Sequence, residues 1–134
     1  MNDPFIQARD EIVRLHRVID GWFRGALPAD CFEPDFADAL HPAFENIQPS
    51  GAFLSRADLL GPIRAAHGAN PDFRISIEEP RLVAEYPGLI LATYVELQIG
   101  ARNSAAENRR RSTVLFETGP RLLWRHLQET ALPG

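Results

Sequence analysis

Apolar residues recur at steps of three and four along the first part of the chain, with arginines between them. The apolar positions share one face of a helix and are Phe5, Ala8, Ile12, Leu15, Ile19 and Trp22. Asp3 directly before Pro4 is typical of an N-cap followed by proline at the first helical position. Gly25 is suited to end the helix, because glycine adopts the left-handed conformation common there. The pattern predicts a long amphipathic first helix.

The next part of the chain predicts a short helix followed by a strand. Between residues 29 and 40, two phenylalanines stand among acidic residues, as in a short helix with one buried side. His41-Pro42 should close this helix, because the residue before a proline is disfavoured in the helical region. Residues 44–48 then alternate between apolar and polar as in a strand, and residues 49–51 predict a turn.

A third helix is predicted to begin at Ser55. Ser55 and Asp58 resemble a capping box, with aspartate in place of the usual glutamate. Gly61 and Pro62 fall inside this helix, where proline costs ~3 kcal/mol relative to alanine. We therefore expect a kink or a break at these two residues.

The second half of the chain changes to a period of two, which is typical of strands. Four such segments follow one another, separated by turn-forming residues and by a longer polar loop: residues 73–77, 89–99, 110–116 and 122–128. Consecutive strands with hairpin-length links predict a strongly bent, mainly antiparallel sheet. Helices first and strands last predict an α+β fold, in a single domain that spans residues 1–134.

Composition and charge argue against a nucleic-acid-binding or membrane protein. The formal net charge is −4, and the only basic run is residues 109–111, whereas nucleic-acid binders present broad basic faces. No apolar stretch approaches the ~20 residues that span a bilayer, and the first four residues do not resemble a secretory signal. Cys31 is the only cysteine, which fits a reducing compartment. We expect a cytoplasmic protein with no nucleic-acid or membrane partner.

Several short motifs, in this order, resemble the nuclear transport factor 2-like superfamily: HPAF at 41–44, PSG at 49–51, SRA at 55–57, YVELQ at 94–98, RST at 111–113 and WRHLQET at 124–130. They are similar to its small stand-alone bacterial members and to the association domain of calmodulin-dependent kinases. The resemblance implies a cystatin-like, cone-shaped α+β barrel, with helices packed on the bent sheet around a cavity and frequent homodimers through the sheet. Members include isomerases, dehydratases, hydrolases and polyketide cyclases, beside pure binding and oligomerisation domains, so the fold does not fix the function.

Five polar residues on the strands are candidates for acid–base chemistry. Alternation puts Tyr94 and Glu96 on one face, and hairpin pairing is expected to bring Arg111 and Thr113 beside them. Glu96 or His126 is the candidate catalytic base, since a carboxylate in an apolar cavity has a raised pKa. Tyr94 is a candidate donor to a developing oxyanion. The alternative is a plain cross-strand ion pair between Glu96 and Arg111, on the dimer face or on the cavity wall.

Trp22 and Phe23 are expected to close the cone, either as ordinary core side chains or as the wall of a hydrophobic ligand pocket. The four histidines are scattered over different elements, and Gln128 stands where proteins that the chain resembles often have a second histidine. A metal site is therefore not expected, and no cofactor motif is present.

These observations lead to two functional hypotheses. The first is a homodimer whose pocket binds a small, mainly apolar organic molecule and carries out cofactor-free acid–base chemistry of the isomerase, dehydratase or hydrolase type. The second is a non-catalytic ligand-binding or oligomerisation module.

Overall fold

The first helix forms where the pattern predicts it. The computed structural model describes residues 3–133. Helix α1 spans Pro4–Arg24, and the Asp3 carboxylate accepts hydrogen bonds from two backbone N–H groups of its first turn. Gly25 ends the helix in the left-handed conformation with φ 77°. The apolar stripe faces inward, so α1 contributes one wall of the core.

Residues 29–39 form three short helical turns instead of the single helix that was predicted. A 3₁₀ turn at Ala29–Cys31 is followed by a π turn at Phe32–Phe36 and a second 3₁₀ turn at Ala37–Ala39. Pro34 lies within this segment and lacks the N–H that a regular α-helix requires. The chain becomes extended at Leu40.

Helix α2, at Arg56–Ala65, is continuous through Gly61 and Pro62, so the predicted break is wrong. The capping box is confirmed, because Ser55 Oγ accepts from the Asp58 N–H and the Asp58 carboxylate accepts from the Ser55 N–H. Pro62 is tolerated since it lies on the exposed side of the helix. The carbonyl that loses its helical donor belongs to Asp58, which is also exposed.

Six strands form one mixed sheet in the order β2-β1-β6-β5-β4-β3. Their bounds are β1 Leu40–Ile47, β2 Phe53–Ser55, β3 Arg74–Tyr86, β4 Leu89–Ile99, β5 Glu107–Glu117 and β6 Leu123–Ala131. All neighbours are antiparallel except β1 and β6, which are parallel. The α+β fold is confirmed, but the sheet is not closed into a barrel. Its edge strands β2 and β3 do not pair with each other, and α1 packs along β3 instead.

The main core lies between α1 and one face of the sheet, which we call the inner face. Phe116 and Trp124 are fully buried there and pack edge to face, with ring centroids 4.9 Å apart. Trp124 Nε1 donates to a Glu11 carboxylate oxygen at 2.8 Å, which joins α1 to β6. The opposite face of the sheet is called the outer face.

Candidate functional site

A buried ion pair joins α1 to the inner face of β4. His16 Nε2 lies 3.0 Å from Glu96 Oε1, and Nδ1 lies 2.7 Å from the Ile12 carbonyl oxygen. A carbonyl can only accept, so Nδ1 carries a proton, and Nε2 also needs one to bind a carboxylate. His16 is therefore an imidazolium. Burial alone lowers the pKa of His16, but the charge and hydrogen bond of Glu96 outweigh it and raise that pKa.

Glu96 is held as a carboxylate. Its Oε2 accepts a hydrogen bond from Gln98 Nε2 at 2.6 Å, so both oxygens are bonded. Burial alone would raise the pKa of Glu96, yet the charges of His16 and Arg110 and these hydrogen bonds lower it to about 2. The expectation of a raised pKa is wrong for Glu96, because a buried imidazolium is in contact with it. This carboxylate is poorly suited to accept a proton near neutral pH.

A second carboxyl group, that of Glu129 on β6, lies across β5 from β4 and is largely buried, at 9% side-chain exposure. Glu129 Oε1 lies 3.5 Å from Arg110 Nη1, and Glu129 Oε2 accepts a long hydrogen bond from Asn46 Nδ2 at 3.5 Å. Burial and the negative charge of Glu96 raise the pKa of Glu129, and the charge of Arg110 offsets part of that rise. Glu129 therefore takes up a proton more readily than an exposed glutamate.

Three buried polar atoms next to these carboxylates have no hydrogen-bond partner within residues 3–133: Tyr94 Oη, Ser112 Oγ and Arg110 Nε. Burial, then the charges of Glu96 and Glu129, raise the pKa of Tyr94 well above its ordinary value. The nearby Ser112 hydroxyl offsets a little of this rise, but the two hydroxyls do not meet hydrogen-bond geometry. The inner-face polar cluster comprises His16, Tyr94, Glu96, Arg110, Ser112 and Glu129.

The register between β4 and β5 decides which predicted residues belong to this cluster. Tyr94 lies opposite Ser112 and Glu96 opposite Arg110, whereas Arg111 lies opposite Val95. The expectation that Arg111 and Thr113 share a face with Tyr94 and Glu96 is therefore wrong. Both are exposed on the outer face, because the pairing positions differ by one residue from those assumed.

His126 also lies on the outer face. It is paired with Leu115 of β5, and its Nδ1 is 2.8 Å from Glu45 Oε1 at the partly exposed surface. The structure therefore does not bring the two candidate bases, Glu96 and His126, together.

Trp22 and Phe23 make the contacts of ordinary packing at the end of α1. Trp22 Nε1 donates to the Ile63 carbonyl at 2.7 Å, and its ring stacks on His67 with centroids 4.0 Å apart. Phe23 packs edge to face on Phe73. These contacts join α1 to α2 and to the segment before β3.

The sequence contained weak signals for the cluster residues that were not predicted. His16 falls four residues after Ile12 and three before Ile19, inside the apolar stripe of α1. A histidine at such a position must find a polar partner in the core. Arg110, Ser112 and Glu129 required the strand register, which the sequence alone did not provide.

Two surface cavities lie against α1, away from the cluster. The larger, of ≈ 590 Å³, is lined by the apolar residues Val13, Val18 and Leu27, by charged residues of α1 and by Asp35 of the π turn. The smaller, of ≈ 340 Å³, lies between α1 and the turn before β6. Neither is lined by a residue of the inner-face polar cluster. Within residues 3–133, no three His, Cys, Asp or Glu side chains are grouped so as to hold a metal ion.

Similarity to solved structures identifies the family. No protein-family model and no curated protein matches the chain. An NTF2-like (nuclear transport factor 2-like) protein of unknown function from Pseudomonas aeruginosa is 31% identical over 93% of this chain and 98% of its own, with a TM-score of 0.83. The chain belongs to the NTF2-like family.

Other solved structures share the fold at lower identity. A candidate dehydratase of this family from Streptomyces avermitilis is 14% identical over 97% of this chain and 96% of its own, with a TM-score of 0.73. A calmodulin-dependent kinase II hub homology domain from Chlamydomonas reinhardtii is 13% identical over 98% of this chain and 100% of its own, with a TM-score of 0.72. At these identities the two structures show the shared fold alone. In the described part of this NTF2-like chain, no helix is long and apolar enough to cross a bilayer.

Proposed function

We propose that this NTF2-like protein binds a small organic molecule at the inner-face polar cluster and acts on it by cofactor-free acid–base chemistry, as an isomerase, dehydratase or hydrolase does. The observation that carries the proposal is the set of three buried polar atoms without a partner: Tyr94 Oη, Ser112 Oγ and Arg110 Nε. Leaving one such group unsatisfied costs about 1–3 kcal/mol. A ligand with an accepting oxygen recovers part of that cost.

The cluster contains the groups that acid–base chemistry requires. Glu129 is the proton acceptor or donor, because burial and the charge of Glu96 raise its pKa above that of an exposed glutamate. Tyr94 keeps its proton and donates to an oxyanion as it develops. Glu96 and His16 hold each other in fixed positions and take no part in proton transfer. The role of catalytic base, which the sequence predicted for Glu96 or His126, is thus proposed for Glu129.

A screen of small molecules by protein-observed NMR tests the proposal. Ligands are expected to shift the amide signals of β4 and β5 near Tyr94 and Ser112. They should lose affinity at least tenfold in the double variant Tyr94→Phe/Ser112→Ala. The matched control is Tyr86→Phe/Ser76→Ala, which makes the same changes at exposed positions of β3. Ligands that bind both double variants equally well would place the site elsewhere, for example in the cavity beside Val13.

The second candidate function is an assembly module that dimerises through the outer face. Structural similarity to a kinase hub homology domain favours it. The outer face also carries the half-exposed Ile99, at 47% exposure, and partly buried leucines at positions 91, 97 and 115. Apolar residues of this kind are typical of surfaces that pair with a second copy.

A further inference from the structure

The charge of the inner-face polar cluster depends on the protonation of one residue. His16 is an imidazolium because both ring nitrogens face acceptors, and Arg110 is always a cation. Glu96 is an anion with both oxygens hydrogen-bonded. The cluster therefore carries no net charge when Glu129 is ionised and one positive charge when Glu129 is protonated.

Arg110 is only partly engaged by its neighbours. Its Nη2 donates to Asn108 Oδ1 at 2.9 Å, but Nη1 is 3.5 Å from Glu129 and Nε has no partner in the described chain. Charge-assisted hydrogen bonds of this type are normally about 2.7–2.9 Å long. The buried hydroxyls of Tyr94 and Ser112 lie on the same face and are also without partners. All three groups can donate, and Arg110 Nε can do nothing else.

On the basis of the function proposed above, we propose that the ligand presents a carboxylate or comparable small oxyanion to Tyr94, Arg110 and Ser112. Binding of this anion takes up one proton on Glu129. An anion that enters the neutral cluster leaves an uncompensated negative charge in a buried site, which is costly. An anion that enters the protonated form makes the cluster neutral. Binding therefore selects the form in which Glu129 is protonated.

The other charged and titratable groups around Glu129 do not take this proton. They are Tyr94 and Glu96 on β4, Arg110 on β5 and His16 on α1. Tyr94 and His16 already carry their protons, and Arg110 cannot gain one. The pKa of Glu96 is about 2, so it stays ionised. The direction of the shift at Glu129, whose pKa is raised by burial and by Glu96, agrees with this assignment.

The probe is acetate, with acetamide as a neutral molecule of the same shape. Dissociation constants are measured by protein-observed NMR from mildly acidic to alkaline pH. Acetate is expected to bind about tenfold more weakly per pH unit above the pKa of Glu129, because one proton is taken up. Acetamide should show no such slope. Calorimetry in two buffers of different ionisation enthalpy should give one proton bound per acetate.

Matched variants test whether Glu129 takes up the proton and whether Arg110 binds the anion. Glu129→Gln should bind acetate with an affinity that no longer follows this slope, whereas Glu45→Gln, the same change on the outer face, should keep it. Arg110→Gln should abolish acetate binding, and Arg109→Gln, on the exposed face of the same strand, should not.

Acetate binding that is independent of pH in the unchanged protein would overturn the inference, and so would a full slope in Glu129→Gln. If acetamide binds and acetate does not, the inference that the ligand is an anion is wrong, but the proposed small-molecule site remains. If no small molecule shifts the signals of β4 and β5, the proposed function fails together with the inference.

Discussion

His16 and Glu96, 80 residues apart in the chain, form a buried ion pair with Nε2 3.0 Å from Oε1. His16 is 6% exposed and Glu96 5% at the side chain, so neither charge is compensated by bulk water. Forming such a pair requires both groups to lose their hydration, and removing only one leaves the other buried and unpaired. The pair thus fixes how α1 lies on β4.

The first prediction concerns this pair. Glu96→Gln should lower the free energy of unfolding by about 3 kcal/mol at neutral pH, since His16 then keeps a buried charge or loses its proton. The control is Glu78→Gln, which removes a partly exposed carboxylate 3.6 Å from Arg109 and should change stability by less than about 1 kcal/mol. Urea unfolding of both variants measures the difference. Equal effects would show that the buried pair contributes no more than a surface one.

The pH dependence of stability should follow from the same groups. The pKa of Glu96 is lowered from 4.5 to about 2 in the folded chain, so its stabilisation is present above 4.5 and is lost as the pH falls towards 2. The pKa of His16 is raised above 6.5, so its stabilisation is present below 6.5 and is lost as the pH rises through the folded pKa. The difference in the free energy of unfolding between the unchanged protein and Glu96→Gln should therefore be largest between pH 4.5 and 6.5. It should become smaller at lower and at higher pH. A difference that is constant with pH would contradict the assignment.

Tyr94→Phe should weaken ligand binding without lowering the stability of the protein. The hydroxyl is buried without a partner, so its removal should leave the free energy of unfolding unchanged or raise it by up to about 1 kcal/mol. The same variant should weaken ligand binding. Tyr86→Phe, at a position that is 63% exposed, should change neither property. Destabilisation of more than about 1 kcal/mol by Tyr94→Phe would mean that the hydroxyl has a partner in the folded chain.

Pro62→Ala should stabilise the protein by about 2 kcal/mol, because α2 is continuous there and alanine restores a helical N–H. Pro49→Ala provides the control, since Pro49 lies in a turn. There the loss of proline should destabilise by about 0.4–1 kcal/mol through the unfolded chain. Thermal unfolding of the two variants should shift in opposite directions, and a loss of stability in Pro62→Ala would show that proline is favoured at this position.

Sedimentation at micromolar concentration should give the mass of a dimer formed through the outer face. Thr113→Arg places a charge at the centre of that face and should give a monomer, because burying an unpaired charge at an interface is costly. Thr118→Arg makes the same change in the exposed segment before β6 and should remain dimeric. A monomeric mass for the unchanged protein would exclude the assembly function.

Features that depend on neighbouring residues were determined by the sequence. The apolar stripe and the caps at Asp3 and Gly25 predicted α1, and alternation predicted β4 with the bounds that the structure has. The same alternation placed Tyr94 and Glu96 on one face. A helix cap and a strand period are local properties, so a short stretch of chain is enough to specify them.

The membership of the cluster was decided only by the tertiary structure. Side chains alternate along a strand, so a pairing shift of one residue exchanges Arg110 for Arg111 across the sheet. The polar loop before β5 carries no local signal that determines the pairing register of β4 with β5. The burial of the inner face determines it. His16 meets Glu96 only because α1 packs across β4, and Glu129 joins them through the pairing of β5 with β6. Such contacts link distant parts of the chain, and their energies depend on burial that exists only after folding.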